Sequence, residues 1–376
     1  MYRSRKFAFI LLLFVFIQCK NNNENTLKKA SNNEIKHAKG LSIITKDNYS
    51  VVEVSSPWPN SKKKFLYILK KKNAIIPVEY KNVPQIQVPI KNIVLTSTTH
   101  IPSLEMLGEE SKLVGFPNLN YISSEKVRNL INAGKIKELG SNQTLNTEVL
   151  INLQPDIIMG YGLDNSNPIL DNLEKNGLKV ILNGDWNEQS PLGKVEWIKL
   201  FGVLFGKEKQ ANAIFSTIEN SYNETLKLVE NTTKKPSVLS GSMYENTWYL
   251  PQGESWGAKF ISNAKANYLW KHTKGTGSLA LSFEKVYSIA KNADIWFMDQ
   301  YTSLEEIKNA NPHYSQFKAF KAKNIYSFSK KKGKTGGVIY YELAPNRPDL
   351  VLKDLVKIFH PELLPNYQLY FFEKLN

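Results

Sequence analysis

Hydrophobic positions follow two alternating patterns along most of the chain. Short unbroken apolar runs, such as residues 93–95, 157–159 and 295–298, are separated by longer stretches in which apolar residues recur every three or four positions. The first pattern is typical of buried strands in a parallel sheet, and the second of helices that cover such a sheet. From residue 93 onward, the sequence therefore predicts an α/β fold with parallel sheets and helices on both faces.

One helical stripe is longer than the others and divides this pattern into two halves. It occupies residues 207–231 and follows Gly206. We expect two Rossmann-like lobes, residues 40–206 and 236–376, joined by this single long helix. The first lobe begins with apolar β-forming runs between residues 41 and 90, which predict a small N-terminal β element.

The first eighteen residues have the pattern of a secretory signal. In residues 1–18, a basic head precedes an apolar run at residues 7–17, which is too short to span a bilayer comfortably. Cys19 follows and looks like the lipidation site of a bacterial lipoprotein, in which the thiol receives a diacylglyceryl group and becomes the mature N-terminus. Gln18 stands where such sites usually have a small residue, so a plain signal peptide cleaved elsewhere is the alternative. Residues 19–39 are polar and Asn-rich, which predicts a flexible tether.

Composition excludes several classes of protein. The 376 residues include 18 Tyr, 18 Phe and 7 Trp, too many aromatic residues for a disordered chain. A single cysteine excludes a disulfide-rich scaffold and a cysteine-ligated metal centre. The 49 Lys and Arg exceed the 34 Asp and Glu. In an exported protein this excess favours a solvated face, or attraction to anionic lipid or ligand, over a nucleic-acid partner.

The sequence lacks the motifs of common enzymes. It contains no Gly-x-Ser-x-Gly, no Gly-x-x-x-x-Gly-Lys-[Ser/Thr] and no His-Glu-x-x-His. The five histidines are dispersed, and His100 alone falls on a loop that we expect to face a cleft. We therefore expect no enzyme, no cofactor and no bare metal site.

The two halves contain a matching pair of helix starts. Asn146 and Ser282 are each in a position to cap a helix, and Glu148 and Glu284 each follow two residues later. A glutamate in the first turn commonly complements the helix dipole. Two of them at matching places predict one equivalent surface point on each lobe.

Three stretches of the chain resemble segments of a known family. Residues 93–108 have the pattern of a strand, a loop and a helix, residues 146–158 contain Asn-x-Glu followed by Leu-x-Pro-Asp, and residues 347–355 start the last helix with Arg-Pro-Asp. Through them, and over residues 40–370 as a whole, the chain resembles the substrate-binding proteins of ABC importers for iron chelates, haem and vitamin B12. The two lobes of these proteins are joined by one rigid helix.

The resemblance implies a function. It implies a monomer, anchored by lipid in the periplasm, that captures an iron chelate (a siderophore complex or haem) between its lobes and delivers it to a permease with its ATPase. In the family a glutamate on each lobe pairs with arginines of the permease, and Glu148 and Glu284 match those residues. Two alternatives stay open: cobalamin as the ligand, and a surface nutrient-binding lipoprotein that serves no permease.

The ligand cleft is expected where the carboxyl ends of the strands of the two lobes face each other. Aromatic side chains on these loops suit a large, flat, partly apolar ligand, and Arg347 at a helix start could meet its carboxylates. Some of the aromatic side chains, Trp248 in particular, could instead pack in the core. The predicted ligand contacts are Thr99, His100, Asn118, Tyr161, Trp186, Tyr244, Trp248, Tyr301, Tyr340 and Arg347.

Overall fold

The computed structural model describes residues 33–165 and 167–376. The predicted signal at residues 1–18, Cys19 and the larger part of the predicted tether lie outside the described residues. Within the part of the chain that is described, every helix is too short or too polar to cross a bilayer.

A four-stranded sheet leads the fold. Its strands are β1 (Leu41–Thr45), β2 (Tyr49–Ser55), β3 (Lys64–Lys70) and β4 (Gln85–Gln87). They lie side by side in chain order, with β1 to β3 antiparallel and β4 parallel to β3. The buried hydroxyl of Tyr67 accepts a hydrogen bond from the N–H of Leu182 at 3.1 Å, which fixes this sheet to the first lobe.

The first lobe is built on a parallel sheet with the strand order β11-β10-β5-β6-β7. The short strands β8 and β9 form a separate hairpin. Every residue of β5 and β11 is buried, which is why these strands read as unbroken apolar runs. The strands are β5 (Ile93–Leu95), β6 (Leu113–Phe116), β7 (Lys137–Glu138), β8 (Gly140–Ser141), β9 (Thr144–Leu145), β10 (Ile157–Gly160) and β11 (Val180–Leu182). The helices are α1 (Ile101–Leu107), α2 (Glu125–Asn132), α3 (Thr147–Leu153), α4 (Pro168–Lys175), α5 (Pro191–Glu196) and α6 (Ile198–Phe205).

The long helix α7 (Glu208–Leu228) separates the two parallel sheets along the chain. Gly206, at a φ of 66°, ends α6 in the left-handed conformation that favours glycine, so that α7 starts in a new direction. Its 21 residues span about 31 Å at 1.5 Å per residue. Phe215, Ile218 and Tyr222 form the buried stripe that the sequence predicts.

The second lobe has the strand order β15-β12-β17-β18-β19. Its first four strands are parallel as predicted, whereas β19 runs antiparallel to β18 at the edge. A separate antiparallel sheet, β13-β14-β16, was not predicted. The strands are β12 (Ser237–Ser240), β13 (Ser242–Tyr244), β14 (Thr247–Pro251), β15 (Asn267–Tyr268), β16 (Ser278–Leu281), β17 (Ile295–Met298), β18 (Ile325–Ser327) and β19 (Glu373–Lys374). The helices are α8 (Trp256–Asn263), α9 (Phe283–Ala290), α10 (Leu304–Ala310), α11 (Lys318–Lys321), α12 (Ile339–Leu343) and α13 (Pro348–Phe359).

The two lobes repeat one detailed hydrogen-bond arrangement. In the first, a carboxylate oxygen of Asp156, just before β10, accepts the N–H of Asn92 beside the start of β5, and Asn92 Oδ1 accepts the N–H of Asp156. In the second, Asp294 before β17 and Ser237 at the start of β12 exchange the same pair of bonds. Since β10 pairs with β5 and β17 pairs with β12, α3 and α9 precede equivalent strands.

Candidate functional site

A cavity of about 380 Å³ opens at the carboxyl ends of the parallel strands of the second lobe. Ser240 at the end of β12, Met298 at the end of β17 and Phe328 just after β18 line it. Helices α8, α12 and α13 and strand β14 supply much of the rest of its walls, together with the start of β16 and Phe372. In open α/β sheets, ligands bind at this edge.

Aromatic rings form one wall of the cavity. Tyr340 on α12 stacks on Phe328 with ring centroids 4.1 Å apart, and Tyr341 meets Phe328 edge-on at 5.5 Å. Trp256 at the start of α8 lies 6.2 Å from the Tyr340 ring. Burial raises the pKa of Tyr340, and burial together with the charge of Asp299 raises the pKa of Tyr341 to about 12. Both phenols therefore stay protonated at neutral pH and can donate hydrogen bonds.

Among the described residues, the lining of the cavity carries a negative charge and no cation that compensates it. Of the described residues that line it, Asp299 alone is charged, and the Tyr341 hydroxyl lies 3.5 Å from its Oδ2. Arg347 is not part of the lining. Its Nε and Nη2 both donate to the Asp349 carboxylate at 2.9 Å, so the guanidinium is held by a partner two residues away. The structure therefore gives Arg347 a different partner from the ligand carboxylate that was predicted.

A buried polar cluster lies on the first-lobe side. His100 is almost wholly buried, and its Nε2 is 3.7 Å from Oδ1 of Asp185. Burial acts to raise the pKa of Asp185, but the imidazole of His100 and the ammonium of Lys194 leave that pKa below its ordinary value. Lys194 donates to the carbonyls of Asp185 and Trp186 at 3.0 and 2.7 Å, and its Nζ lies 5.6 Å from the ring centroid of Trp256 in the second lobe. Within the described residues, no group of three or more His, Cys, Asp or Glu side chains is placed to hold a metal ion.

Thr99 lies where the lobes touch. Its carbonyl accepts a hydrogen bond from Asn346 Nδ2 of the second lobe at 2.7 Å, and Ser103 Oγ donates to Asn346 Oδ1 at 3.0 Å. The hydroxyl of Thr99 is 2.9 Å from Ser97 Oγ. Thr99 therefore belongs to the contact between the lobes, and His100 packs against Asp185 and Phe201 within the first lobe. Of the ten predicted ligand contacts, Tyr340 alone lines the cavity.

Three further predicted residues lie on loops at the carboxyl edge of the first-lobe sheet. Tyr161 follows β10, and its hydroxyl accepts a hydrogen bond from Asn142 at 3.2 Å. Trp186 follows β11 and donates to the carbonyl of Gly162 at 3.2 Å, which brings it next to the Tyr161 loop. Asn118 follows β6 with a φ of 53° and uses its N–H to bond Glu138 and Gly140.

The remaining predicted aromatic residues lie apart from the cavity. Tyr244 is 62% exposed at the end of β13, and Tyr301 is partly buried against the second-lobe core. Trp248 is a correction to the predicted set, because its side chain is 0% exposed and stacks on Trp296 with centroids 5.5 Å apart. It packs in the core of the second lobe and offers no surface to a ligand.

The sequence prediction omitted most of the cavity lining. Asp299 and Phe328 each come directly after an apolar strand, so the rule that sites form at carboxyl ends could have found them. Trp256 falls in the first turn of α8, where an aromatic residue is equally consistent with core packing. Phe372 comes from the segment before β19, and no sequence signal indicated its position.

Glu148 and Glu284 occupy equivalent exposed positions. Each is the second residue of its helix, α3 or α9, and each helix is capped by the predicted side chain. Asn146 Oδ1 accepts the N–H of Val149 at 3.1 Å, and Ser282 Oγ accepts the N–H of Lys285 at 3.3 Å. Because each helix ends near the start of a parallel strand, both glutamates lie toward the carboxyl edge of their sheets.

Comparisons with known proteins agree with this architecture. Residues 93–331 match the profile of a family described as "Periplasmic binding protein". An uncharacterized lipoprotein of Methanocaldococcus jannaschii is 27% identical over 91% of this chain and 85% of its own length.

Solved structures share the fold at low identity. A possible iron-binding (periplasmic solute-binding) protein of Staphylococcus epidermidis has a TM-score of 0.56 at 19% identity, over 72% of this chain and 99% of its own. The periplasmic haem-binding protein HutB of Vibrio cholerae has a TM-score of 0.54 at 16% identity, over 70% of this chain and 99% of its own.

Proposed function

Because this chain belongs to the periplasmic binding protein family, whose members bind solutes and are not enzymes, we propose that it captures an iron chelate and delivers it to an ABC permease. The chelate enters the cleft between the lobes and places a flat, apolar part against the aromatic wall of the second-lobe cavity. The protein then carries the loaded ligand to the membrane without chemical change.

The observation that carries this proposal is the cavity. Its volume of about 380 Å³ falls within the range of small-molecule sites, roughly 300–1,000 Å³. Stacked rings with two phenol donors at a sheet edge provide both apolar area and orientation. Such a cavity can contact one face of a ligand. The first-lobe loops that carry Tyr161 and Trp186 can contact its other face.

The charge of the cavity narrows the class of chelate. Asp299 is unpaired with any cation in the lining, and Arg347 is held by Asp349. Asp299 is exposed, so solvent screens part of its charge, but a carboxylate in the lining still disfavours an anionic ligand relative to a neutral or cationic one. We therefore place ferric trihydroxamate chelates, which are neutral or cationic, ahead of haem with its two carboxylates.

Delivery depends on Glu148 and Glu284. Both are exposed, and burial is minimal at Glu284, where the backbone N–H and the Ser282 hydroxyl lower the carboxyl pKa. Two ionised carboxylates, one on each lobe, form a two-point contact for cationic residues of a permease. Cys19 would hold the protein at the membrane, in the periplasm, as a lipid-anchored monomer.

Tryptophan fluorescence titration with a ferric trihydroxamate, haem and cobalamin tests the ligand class. We expect the trihydroxamate to bind most tightly and Tyr341→Ala, which removes a 54% exposed ring from the cavity, to weaken binding by about tenfold, equivalent to about 1.4 kcal/mol. Tyr244→Ala is the matched control, because it removes a similarly exposed ring outside the cavity. Equal losses for both variants would contradict the site, and tighter binding of cobalamin or haem would contradict the ligand class alone.

A further inference from the structure

The loop between β3 and β4 displays two apolar side chains to solvent. Ile75 is 92% exposed and Val78 is 85% exposed, the highest values among the large hydrophobic side chains that are exposed in the described residues. Single exposed apolar residues are ordinary, but two such residues three positions apart in one loop form a distinct surface feature.

The backbone of this loop is held in place. The N–H of Lys71 donates to the carbonyl of Asn48 at 2.9 Å, and the ring of Tyr80 lies 6.4 Å from that of Tyr49. Between them, the N–H of Tyr80 donates to the carbonyl of Pro77 at 3.0 Å, which closes a turn of 3-10 helix. Ile75 and Val78 therefore project from a structured loop.

The end of the sheet that carries the two apolar residues has more lysines than acidic residues. The register pairs Thr45 with Ser50 and Tyr49 with Lys70, so the turn at residues 45–49 and the loop at residues 71–81 lie at the same end of the sheet. We call these two segments the tip. The exposed charged residues of the tip are Lys46, Lys71, Lys72 and Lys81, against Asp47 and Glu79.

The described chain also begins beside the tip. Asn33 forms a β-bridge with Ile44, and the N–H of Glu34 donates to the carbonyl of Ile43 at 3.1 Å, close to the end of β1. Cys19 lies fourteen residues before Asn33, so the intervening chain reaches at most about 50 Å when fully extended. A lipid on Cys19 would therefore hold Asn33, beside the tip, within about 50 Å of the bilayer.

The opposite end of the same sheet adjoins the cleft. Trp58 in the β2–β3 turn donates to Asn165 Oδ1 at 3.2 Å, and the carbonyl of Ser56 accepts a hydrogen bond from Asn187 at 2.9 Å. Asn165 and Asn187 lie on loops after β10 and β11, at the carboxyl edge where the ligand is proposed to bind. The tip is separated from this edge by the seven-residue length of β2, about 23 Å.

We propose that the tip is a membrane-contact surface for an anionic bilayer. Ile75 and Val78 insert among the acyl chains at the headgroup boundary, while the lysines meet lipid phosphates, as in other amphipathic surfaces that lie on a membrane. The contact turns the cleft away from the bilayer, toward the solution from which the ligand comes. This orientation would precede docking on a permease and does not depend on which ligand is bound.

Fluorescent labelling at the tip tests the proposal on the processed full-length protein reconstituted in vesicles. Ile75→Cys labelled with the polarity-sensitive dye NBD should give blue-shifted emission and be quenched by brominated lipid in vesicles of phosphatidylcholine with 30% phosphatidylglycerol (about one lipid in three). Both effects should shrink in pure phosphatidylcholine and in 1 M salt, where charge screening extends to about 3 Å. The matched control is Leu228→Cys at the end of α7, because Leu228 is also apolar and half-exposed. The parent chain treated with the same dye measures any labelling at Cys19.

The outcomes separate the possible occupants of the tip. Quenching of the dye at residue 75 but not at residue 228 supports insertion, provided that the double change Lys71→Gln, Lys72→Gln weakens the quenching at residue 75. A blue shift without quenching by brominated lipid means that protein, such as a second copy of this chain, covers the tip, and overturns the proposal. Emission at residue 75 equal to that at residue 228 in every vesicle overturns it as well.

Discussion

We expect Glu342 to make the contact between the lobes sensitive to pH. It lies on α12 of the second lobe, and its carboxylate accepts the N–H groups of Ser123 and Ser124 of the first lobe at 2.7 and 3.0 Å. Ser124 also donates from its hydroxyl to Glu105. Burial, together with the charge of Glu105, raises the pKa of Glu342 from 4.5 to about 7, although the two backbone hydrogen bonds oppose the shift.

The size of the effect follows from this pKa. A carboxyl whose pKa is higher in the folded than in the unfolded protein favours folding when protonated, so its stabilising effect is complete below pH 4.5 and is lost as the pH rises through 7. The difference of about 2.5 pKa units corresponds to about 3 kcal/mol in the free energy of unfolding. Burial also raises the pKa of Glu105, so part of the pH dependence of the whole protein comes from that group.

Urea unfolding between pH 4.5 and 7.5 measures this contribution by comparison with Glu342→Gln. The neutral amide keeps a side-chain oxygen for one N–H and removes the ionisation. As the pH rises over this interval, the free energy of unfolding of the variant should therefore fall by about 3 kcal/mol less than that of the parent protein. Glu125→Gln, an exposed change at the start of α2 next to Ser124, should leave the pH dependence unchanged. A Glu342→Gln protein with the full pH dependence of the parent would refute the reasoning.

Three further predictions concern delivery, the core and the anchor. The double change Glu148→Ala, Glu284→Ala should leave ligand affinity in titration unchanged and abolish cellular uptake of the ligand, because it removes both proposed permease contacts; a fall in affinity would place these residues in the cleft instead. Trp248→Ala should lower the free energy of unfolding in urea by about 3–5 kcal/mol, as expected when a wholly buried ring is removed from a packed core; a loss below about 1 kcal/mol would contradict the core assignment. Cys19→Ser should move the protein into the soluble fraction after a high-salt wash of the membranes, whereas retention after that wash would exclude lipid at Cys19 as the anchor.

The repeating pattern of short apolar runs was enough to predict the two parallel sheets. Strands such as β5 and β11 are buried on both faces, which favours apolar side chains at every position, so the pattern can be recognised without any tertiary information. Gly206 adopts the left-handed conformation at the end of α6, and a glycine at such a place is a local sequence signal that predicts where α7 begins. Asp156 and Asp294 make the same hydrogen bonds in the two lobes. The matching helix starts at Glu148 and Glu284 therefore belong to equivalent parts of the two lobes.

The candidate site was harder to predict because its residues depend on contacts between distant segments. Trp248 lies on β14, and the apolar pattern of this strand does not indicate which of its faces packs against Trp296. Arg347 was assigned to a ligand carboxylate, but Asp349 reaches its guanidinium through local backbone geometry. Lys194 lies within α5, and nothing in its neighbourhood indicates that its ammonium would be buried between two carbonyls and approach Trp256.

The central claim is that the second-lobe cavity and the facing cleft hold an iron chelate. Anomalous diffraction at the iron edge, from crystals of the protein grown with a ferric trihydroxamate, tests it most directly. We expect one iron peak between the lobes, with the chelate in van der Waals contact with Trp256, Tyr340 or Tyr341. An iron peak outside the cleft, or an empty cleft in crystals from a solution saturated with the chelate, would contradict the account.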